Sequence, residues 1–366
     1  MKWNRDIFLL LPALAILAFA FAGFTAKKIH TETAPVLLFT CTWEGREEIL
    51  DSIVQEYEKI HRVKIITEYM PNNGTVKGDV ITVNRRQVSQ LIESGLIEPE
   101  FFTLLSFFYP LYYNTAILLN AGFNRPPKTA PEFLIQAEKI TNPEAGIYAA
   151  AFALDQDNQD GIYADICSWI WASGIFPEKT ENLSRDEIHR LAETLEFLLT
   201  LERKNYLYPE TFMLNEDEKR KAFIDEKTAF MIGSAEDMEL LRGIMGDKLG
   251  FTSIPAPAAY TGRPVFGSDS WILAIPKETK NREEALSFIT FLAEKSSVLA
   301  GGWAVAENGN SIPVNDPFYY KAAELYISGE LAGGVTGIKF RNAMIDLFSG
   351  KTGVEETVSM LINNEL

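Results

Sequence analysis

Residues 249–292, LGFTSIPAPAAYTGRPVFGSDSWILAIPKETKNREEALSFITFL, constrain the fold more than any other stretch of the chain. A strand exits into a Pro-rich crossover, a second strand follows, and a capped amphipathic helix closes the unit. Asn281-Arg-Glu-Glu284 reads as the capping box of that helix, with Ala285, Phe288, Ile289 and Leu292 turned inward. Strand, crossover, strand and helix in this order make an α/β fragment.

The rest of the chain repeats the theme. Residues 36–40 read as a buried-type strand, and residues 44–61 as a helix with Ile49, Ile53, Tyr57 and Ile60 on one face. Residues 63–68 and 79–83 are the next two strands, and a short helix over 87–93 is ended by Gly95. This β-α-β-loop-β-α order predicts a mostly parallel sheet. After Pro110 helices dominate. Thr129-Ala-Pro-Glu132, Ser184-Arg-Asp-Glu187 and Thr352-Gly-Val-Glu355 each open one. The helix after Ser184 turns Ile188, Leu191, Leu195 and Leu198 inward.

At 366 residues the chain exceeds one compact core and suits two lobes. Its net charge of −16 argues against nucleic acid, which demands clustered Lys and Arg, and offers no attraction to anionic lipid. Two cysteines, Cys41 and Cys167, lie in apolar contexts (VLLFTC and DICSWIW) and read as buried thiols rather than a disulfide framework. At the N-terminus Lys2 and Arg5 precede an apolar run over residues 7–26. At about 1.5 Å per residue that run reaches about 30 Å, enough to cross a bilayer. Ala20-Phe21-Ala22 supplies a small-x-small cleavage site, so residues 1–26 are either a signal peptide or a membrane anchor. Both readings export the rest of the chain, and residues 27–35 form a linker.

Six stretches, in order, resemble the extracellular solute-binding proteins of ABC importers, specifically the sugar-binding, maltose-binding-protein-like kind. They are the opening strand and helix over 36–61, GDVITVNRRQVSQLIESGLIEP, and Tyr113-Asn114 followed by Gly122 and the Thr129 to Phe133 helix start. KAFIDEKTAFMIGSAED, the 249–292 unit and GNSIPVN complete the set. The resemblance implies a class II periplasmic-binding-protein-like α/β fold of two lobes, each a mixed sheet flanked by helices, joined by a multi-strand hinge. Residues 36–112 with 259–310 would form lobe one, and 113–258 with 311–366 lobe two. Tyr113, Asn114, Pro255 and Pro313 would mark the hinge. The chain departs from the family pattern in lobe one: about ten residues separate the second and third strands where a helix is usual, and the excursion between Pro99 and Pro110 is short.

The resemblance implies an extracytoplasmic, non-catalytic, monomeric protein. It would need no cofactor, hold a carbohydrate between its lobes and deliver it to the membrane subunits of an importer. An envelope-tethered sensor or scaffold is the alternative. Ligand sites in open α/β sheets lie beyond the carboxyl ends of strands. Sugars need aromatic faces for their C–H surfaces and polar groups for their hydroxyls. The candidates just past the predicted strands are Trp43, Glu44, Asn84, Arg85, Asp155, Asp157, Ser234, Glu236, Ser268, Asp269, Trp271 and Trp303. Trp271 and Trp303 sit in apolar surroundings, where core packing competes with ligand stacking. Arg85 and Arg86 are adjacent, so they point apart and at most one reaches the cleft. The acidic run over residues 155–161 fails the calcium-loop spacing, and His30, His61 and His189 show no metal-ligand spacing.

Overall fold

A computed structural model describes residues 34–42, 47–70, 76–155, 162–176, 183–300, 317–332 and 338–362. The described residues form strands β1 (Val36–Cys41), β2 (Lys64–Tyr69), β3 (Val80–Asn84), β4 (Ile97–Phe108), β5 (Leu111–Asn114), β6 (Tyr148–Ala150), β7 (Thr228–Ile232), β8 (Leu249–Thr252), β9 (Val265–Pro276) and β10 (Glu330–Ala332). They make two mixed sheets. The first runs β10-β9-β3-β1-β2, with β4 also on β9; the second runs β6-β7-β5-β8. In the first, β1 is parallel to β2 and β3, while β9 is antiparallel to β3 and β4. In the second, β6 is parallel to β7, and β5 is antiparallel to β7 and β8.

The apolar runs of β1, β3 and β9 are what a sheet covered on both faces demands. On one face the Glu47–Ile60 helix packs Leu50, Ile53, Val54 and Tyr57, and the Arg282–Glu294 helix adds Ala285, Phe288, Ile289 and Leu292. On the other, Val88 and Leu91 of the Arg85–Glu93 helix meet Ile81, Val83, Ile272 and Ala274. Two local expectations fail here. Ile60 closes its helix and is 63% exposed, because Leu50 and Val54 take the inward stripe. Asn281 makes no cap hydrogen bond; its Nδ2 donates instead to Asp79 Oδ1 and to the Val36 carbonyl. Asp79 also accepts the Leu38 N–H at 2.9 Å, so this pair ties the helix start to the edge of β1.

The second sheet is packed by the Ala130–Ile140 and Arg185–Arg203 helices through Phe133, Ala137, Leu191, Leu195 and Leu198. Thr129 caps the first and Ser184 the second, the latter with the full reciprocal box to Glu187. Cys41 and Cys167 are buried, one on β1 of the first sheet and the other on the Ile162–Cys167 turn.

The chain leaves the first sheet at Phe108 and enters the second at Leu111, with only Tyr109 and Pro110 between. The boundary read between residues 112 and 113 therefore falls inside β5, whose four residues all belong to the second sheet. The return passes through residues 253–264, where Ala130 N–H still holds the Ala256 carbonyl. β10 pairs with Val265, Phe266 and Gly267 at the start of β9. The three residues of β10, Glu330–Ala332, assigned to lobe two by sequence, extend the first sheet.

Candidate functional site

The start of β9 and the turns of the second sheet meet along a seam. Its first-sheet side begins at Asn84, the last residue of β3, paired with Trp271 on β9. Asn84 caps the helix that follows: its Oδ1 accepts the Arg86 N–H at 3.1 Å, and Gln87 returns a bond to the Asn84 N–H at 3.1 Å. This cap aims the next side chains. Arg86 Nε donates to Asp269 Oδ2 at 2.5 Å and to Asn84 Oδ1 at 3.1 Å. Arg85, about 100° further round the helix, swings away and lies exposed with its guanidinium 4.6 Å from the Phe101 ring. Arg86, not Arg85, is the seam arginine.

Asp269 and Trp271 sit two residues apart on β9 and so share a face. The second sheet reaches them with two turns. After β7, Ser234 caps a short turn over Ala235–Asp237, and Glu236 Oε1 accepts the Trp271 indole N–H at 2.6 Å. Tyr112 on β5 steadies that turn through its hydroxyl, which donates to the Ser234 carbonyl at 2.8 Å. The π-helical turn Ile162–Cys167 carries Tyr163, whose hydroxyl donates to the Ser268 carbonyl at 2.9 Å and whose ring lies 4.4 Å beneath the Arg86 guanidinium. Trp171 stands edge-on to Tyr163 at 4.8 Å and covers Gly267, where a Cβ would come within 2.3 Å of its ring. Ser268 Oγ donates to the Ala332 carbonyl.

Burial dominates the electrostatics. It pushes the Glu236 carboxyl up to about 8, against the hydrogen bonds from Trp271 and Ser234, and the neighbouring charges of Asp237 and Asp269 add to the rise. Asp269 is also raised by burial, with the Arg86 charge opposing. The result is an aromatic-lined seam whose two carboxyls are both held above their ordinary values by burial. Among the described residues no cluster of His, Cys, Asp or Glu could hold a metal ion.

The structure thus brings together Asn84, Ser234, Glu236, Ser268, Asp269 and Trp271 from the predicted set, and adds Arg86, Tyr163 and Trp171. Asp155 stands apart, in the segment after β6, with its N–H on the Leu214 carbonyl. Trp43, Glu44, Asp157, Trp303 and Pro313 lie outside the described residues. Two of the hinge candidates follow the first connection between the sheets and one lies in the return. Tyr113 packs against Gly250 within the second sheet, and Asn114 is fully buried as the cap of the Thr115–Asn120 helix. The crossing itself is Tyr109-Pro110. Pro255 is buried in the return connection. A separate apolar cavity of about 220 Å³ lies away from these residues, lined by Leu154, Ile166, Phe212, Met344, Ile345 and Phe348.

Known proteins share this architecture. An ABC transporter solute-binding protein from Thermotoga lettingae, solved with α-D-tagatose, superimposes with a TM-score of 0.74 at 17% identity, covering 90% of this chain and 98% of that one. The maltose-bound MalE3 of T. maritima does so with a TM-score of 0.68 at 18% identity, covering 90% and 99%. A probable ABC transporter-binding protein of Deinococcus radiodurans is 24% identical over 196 residues, 50% of this chain; the match spans 44% of that relative's length. Residues 44–298 match the bacterial extracellular solute-binding protein family, a span that includes the second sheet, all of the first but β1 and β10, and every described seam residue. The chain belongs to that family.

Proposed function

We propose that this protein captures a carbohydrate between its two lobes, outside the cytoplasm, and presents it to the membrane subunits of an ABC importer. The observation that carries the reading is the seam itself. Tyr163, Trp171 and Trp271 bring aromatic side chains, and Asn84, Arg86, Ser234, Glu236 and Asp269 bring hydrogen-bonding groups, to the place where β9 meets the turns of the second sheet; they are packed on one another in this arrangement and are uncovered as the lobes part. Ring faces take sugar C–H surfaces and the polar set takes hydroxyls. The tagatose- and maltose-bound relatives of the same fold support this ligand class. The seam carboxyls are committed to Trp271 and to Arg86, which suits binding rather than proton transfer. The export of the chain rests on its N-terminal apolar run, as cleaved leader or anchor, and the protein acts as a monomer without cofactor or nucleic acid.

Closure on a ligand is a population shift, so a sugar that binds must favour the closed arrangement. A panel of tagatose, maltose, mannobiose and mannotriose, read by thermal shift and by X-ray scattering, tests this. A raised melting temperature with a smaller radius of gyration is expected for at least one sugar. No response to any of them would overturn the carbohydrate assignment.

A further inference from the structure

The helix Glu216–Ile224 lies outside both turns that reach across the seam, yet two adjacent residues on it hold those turns. Lys219 is 1% exposed, and its Nζ lies 3.0 Å from both oxygens of Asp165, which is itself fully buried. Glu216 Oε2 stands 2.7 Å from the same ammonium. Asp165 also accepts the Ala153 N–H at 2.7 Å, tying the segment after β6 to the same point. Asp165 sits two residues beyond Tyr163 on the π-helical turn. The neighbouring Arg220 places its guanidinium 2.8 Å from Asp237 Oδ1 and 2.8 Å from Asp217 Oδ1. Its Nε–H is not aligned on Asp237, so that contact is one of charge. Asp237 is the immediate neighbour of Glu236.

A buried ion pair is a poor stability device, because desolvating both charges offsets most of their attraction, and apolar replacements are often neutral or better. Its strength is direction. Inserted π-turns of this kind recur at functional sites, where the extra residue re-aims side chains. We propose that Lys219 and Arg220 are positioning residues for the binding cleft: Lys219, through Asp165, sets the turn that presents Tyr163 to Ser268 and Arg86, and Arg220, through Asp237, sets the turn that presents Glu236 to Trp271. This inference rests on the seam being the solute site.

Each anchor has its own reporter, and neither needs a ligand. The indole N–H of Trp271 reports its bond to Glu236, and the Nε–H of Arg86 reports the Tyr163 ring above which it lies. Both are visible in proton–nitrogen correlation spectra of the labelled full chain, assigned with Trp271→Phe and Arg86→Lys. Arg220→Met is expected to move the Trp271 indole resonance to a solvent-exposed position and leave Arg86 in place, while Arg220→Lys preserves both. The paired change Asp165→Asn with Lys219→Met removes the buried ion pair and leaves only Glu216, whose side chain is 34% exposed, without its cation. It is expected to abolish the ring-current shift at Arg86 and leave Trp271 in place. A purely structural role would move both resonances together with the melting temperature, and that result overturns the proposal, as does a pattern in which neither variant moves its own reporter. If the paired change prevents folding, the two Arg220 variants decide alone, since Arg220 is part-exposed. Failure of every sugar to bind, with the crossed pattern intact, would sink the solute assignment and leave the positioning roles standing.

Discussion

The Trp271 indole N–H donates a 2.6 Å hydrogen bond to Glu236 Oε1; Trp271 lies on β9 of the first sheet and Glu236 on the turn that follows β7 of the second. The bond exists only when β9 and the turn after β7 are in register across the seam. Burial that comes with this contact is what raises the Glu236 carboxyl.

That rise makes stability depend on pH. The folded value of about 8 lies above the ordinary 4.5, so the native state holds a proton that the unfolded chain has released. The contribution is complete below about pH 4.5 and is lost as pH rises through about 8, at no more than about 1.4 kcal/mol per pH unit. Glu236→Gln keeps an acceptor for Trp271 but cannot titrate. Melting temperatures between about pH 5 and about pH 9 should fall more for the wild type than for the variant. Parallel curves would contradict the assignment.

Arg86 and Arg85 should behave very differently. Arg86→Met strands the buried Asp269, and breaking such a pair costs about 3–5 kcal/mol. Arg85→Met gives up an exposed cation–π contact with Phe101, worth about 0.5–1 kcal/mol. Denaturant melts of the two variants measure the contrast, and equal losses would refute it.

Gly267 is required by Trp171. An added Cβ would meet the ring at 2.3 Å and 2.8 Å, well inside contact distance. Gly267→Ala should therefore destabilise by about 1–3 kcal/mol through overpacking. It should also enlarge the radius of gyration by holding the lobes apart. Adding Trp171→Leu should relieve both effects; if it relieves neither, the clash is not the cause.

Cys41 and Cys167 are separate buried thiols, so reducing agent should leave the melting temperature unchanged. A thiol-reactive dye should label the native protein slowly and both cysteines once guanidinium unfolds it. A dye count of zero in denaturant without reductant would reveal a disulfide.

Much of the scaffold was readable because it depends on short-range pattern. Ser184 and Glu187 are three residues apart, and their reciprocal cap forms as the spacing demands. Ala285, Phe288, Ile289 and Leu292 go inward because they share a helical face. Asn281 shows the limit: it has the right residue at the right spacing, but Asp79, some two hundred positions earlier, competes for its side chain and wins. Tyr163 and Trp171 were missed because, within an apolar run, a ring that reaches the seam and a ring that stays in the core look alike. Lys219 and Arg220 were missed because EDEKRK reads as a solvated charged helix, and nothing local says that one of its lysines is 1% exposed.

The sequence by itself determined the α/β class, most strand and helix positions, the caps at Thr129 and Ser184 and the buried thiols. These follow from contacts between residues two to four positions apart, and from apolar runs that have to be buried wherever they end up. Tertiary structure alone decided that Arg86 rather than Arg85 faces the seam, that the chain crosses at Tyr109-Pro110, and that Glu236 meets Trp271. Glu236 and Trp271 are 35 positions apart, and Arg86 and Asp269 are 183 apart. Which of them meet depends on how two sheets dock, and no local periodicity encodes that.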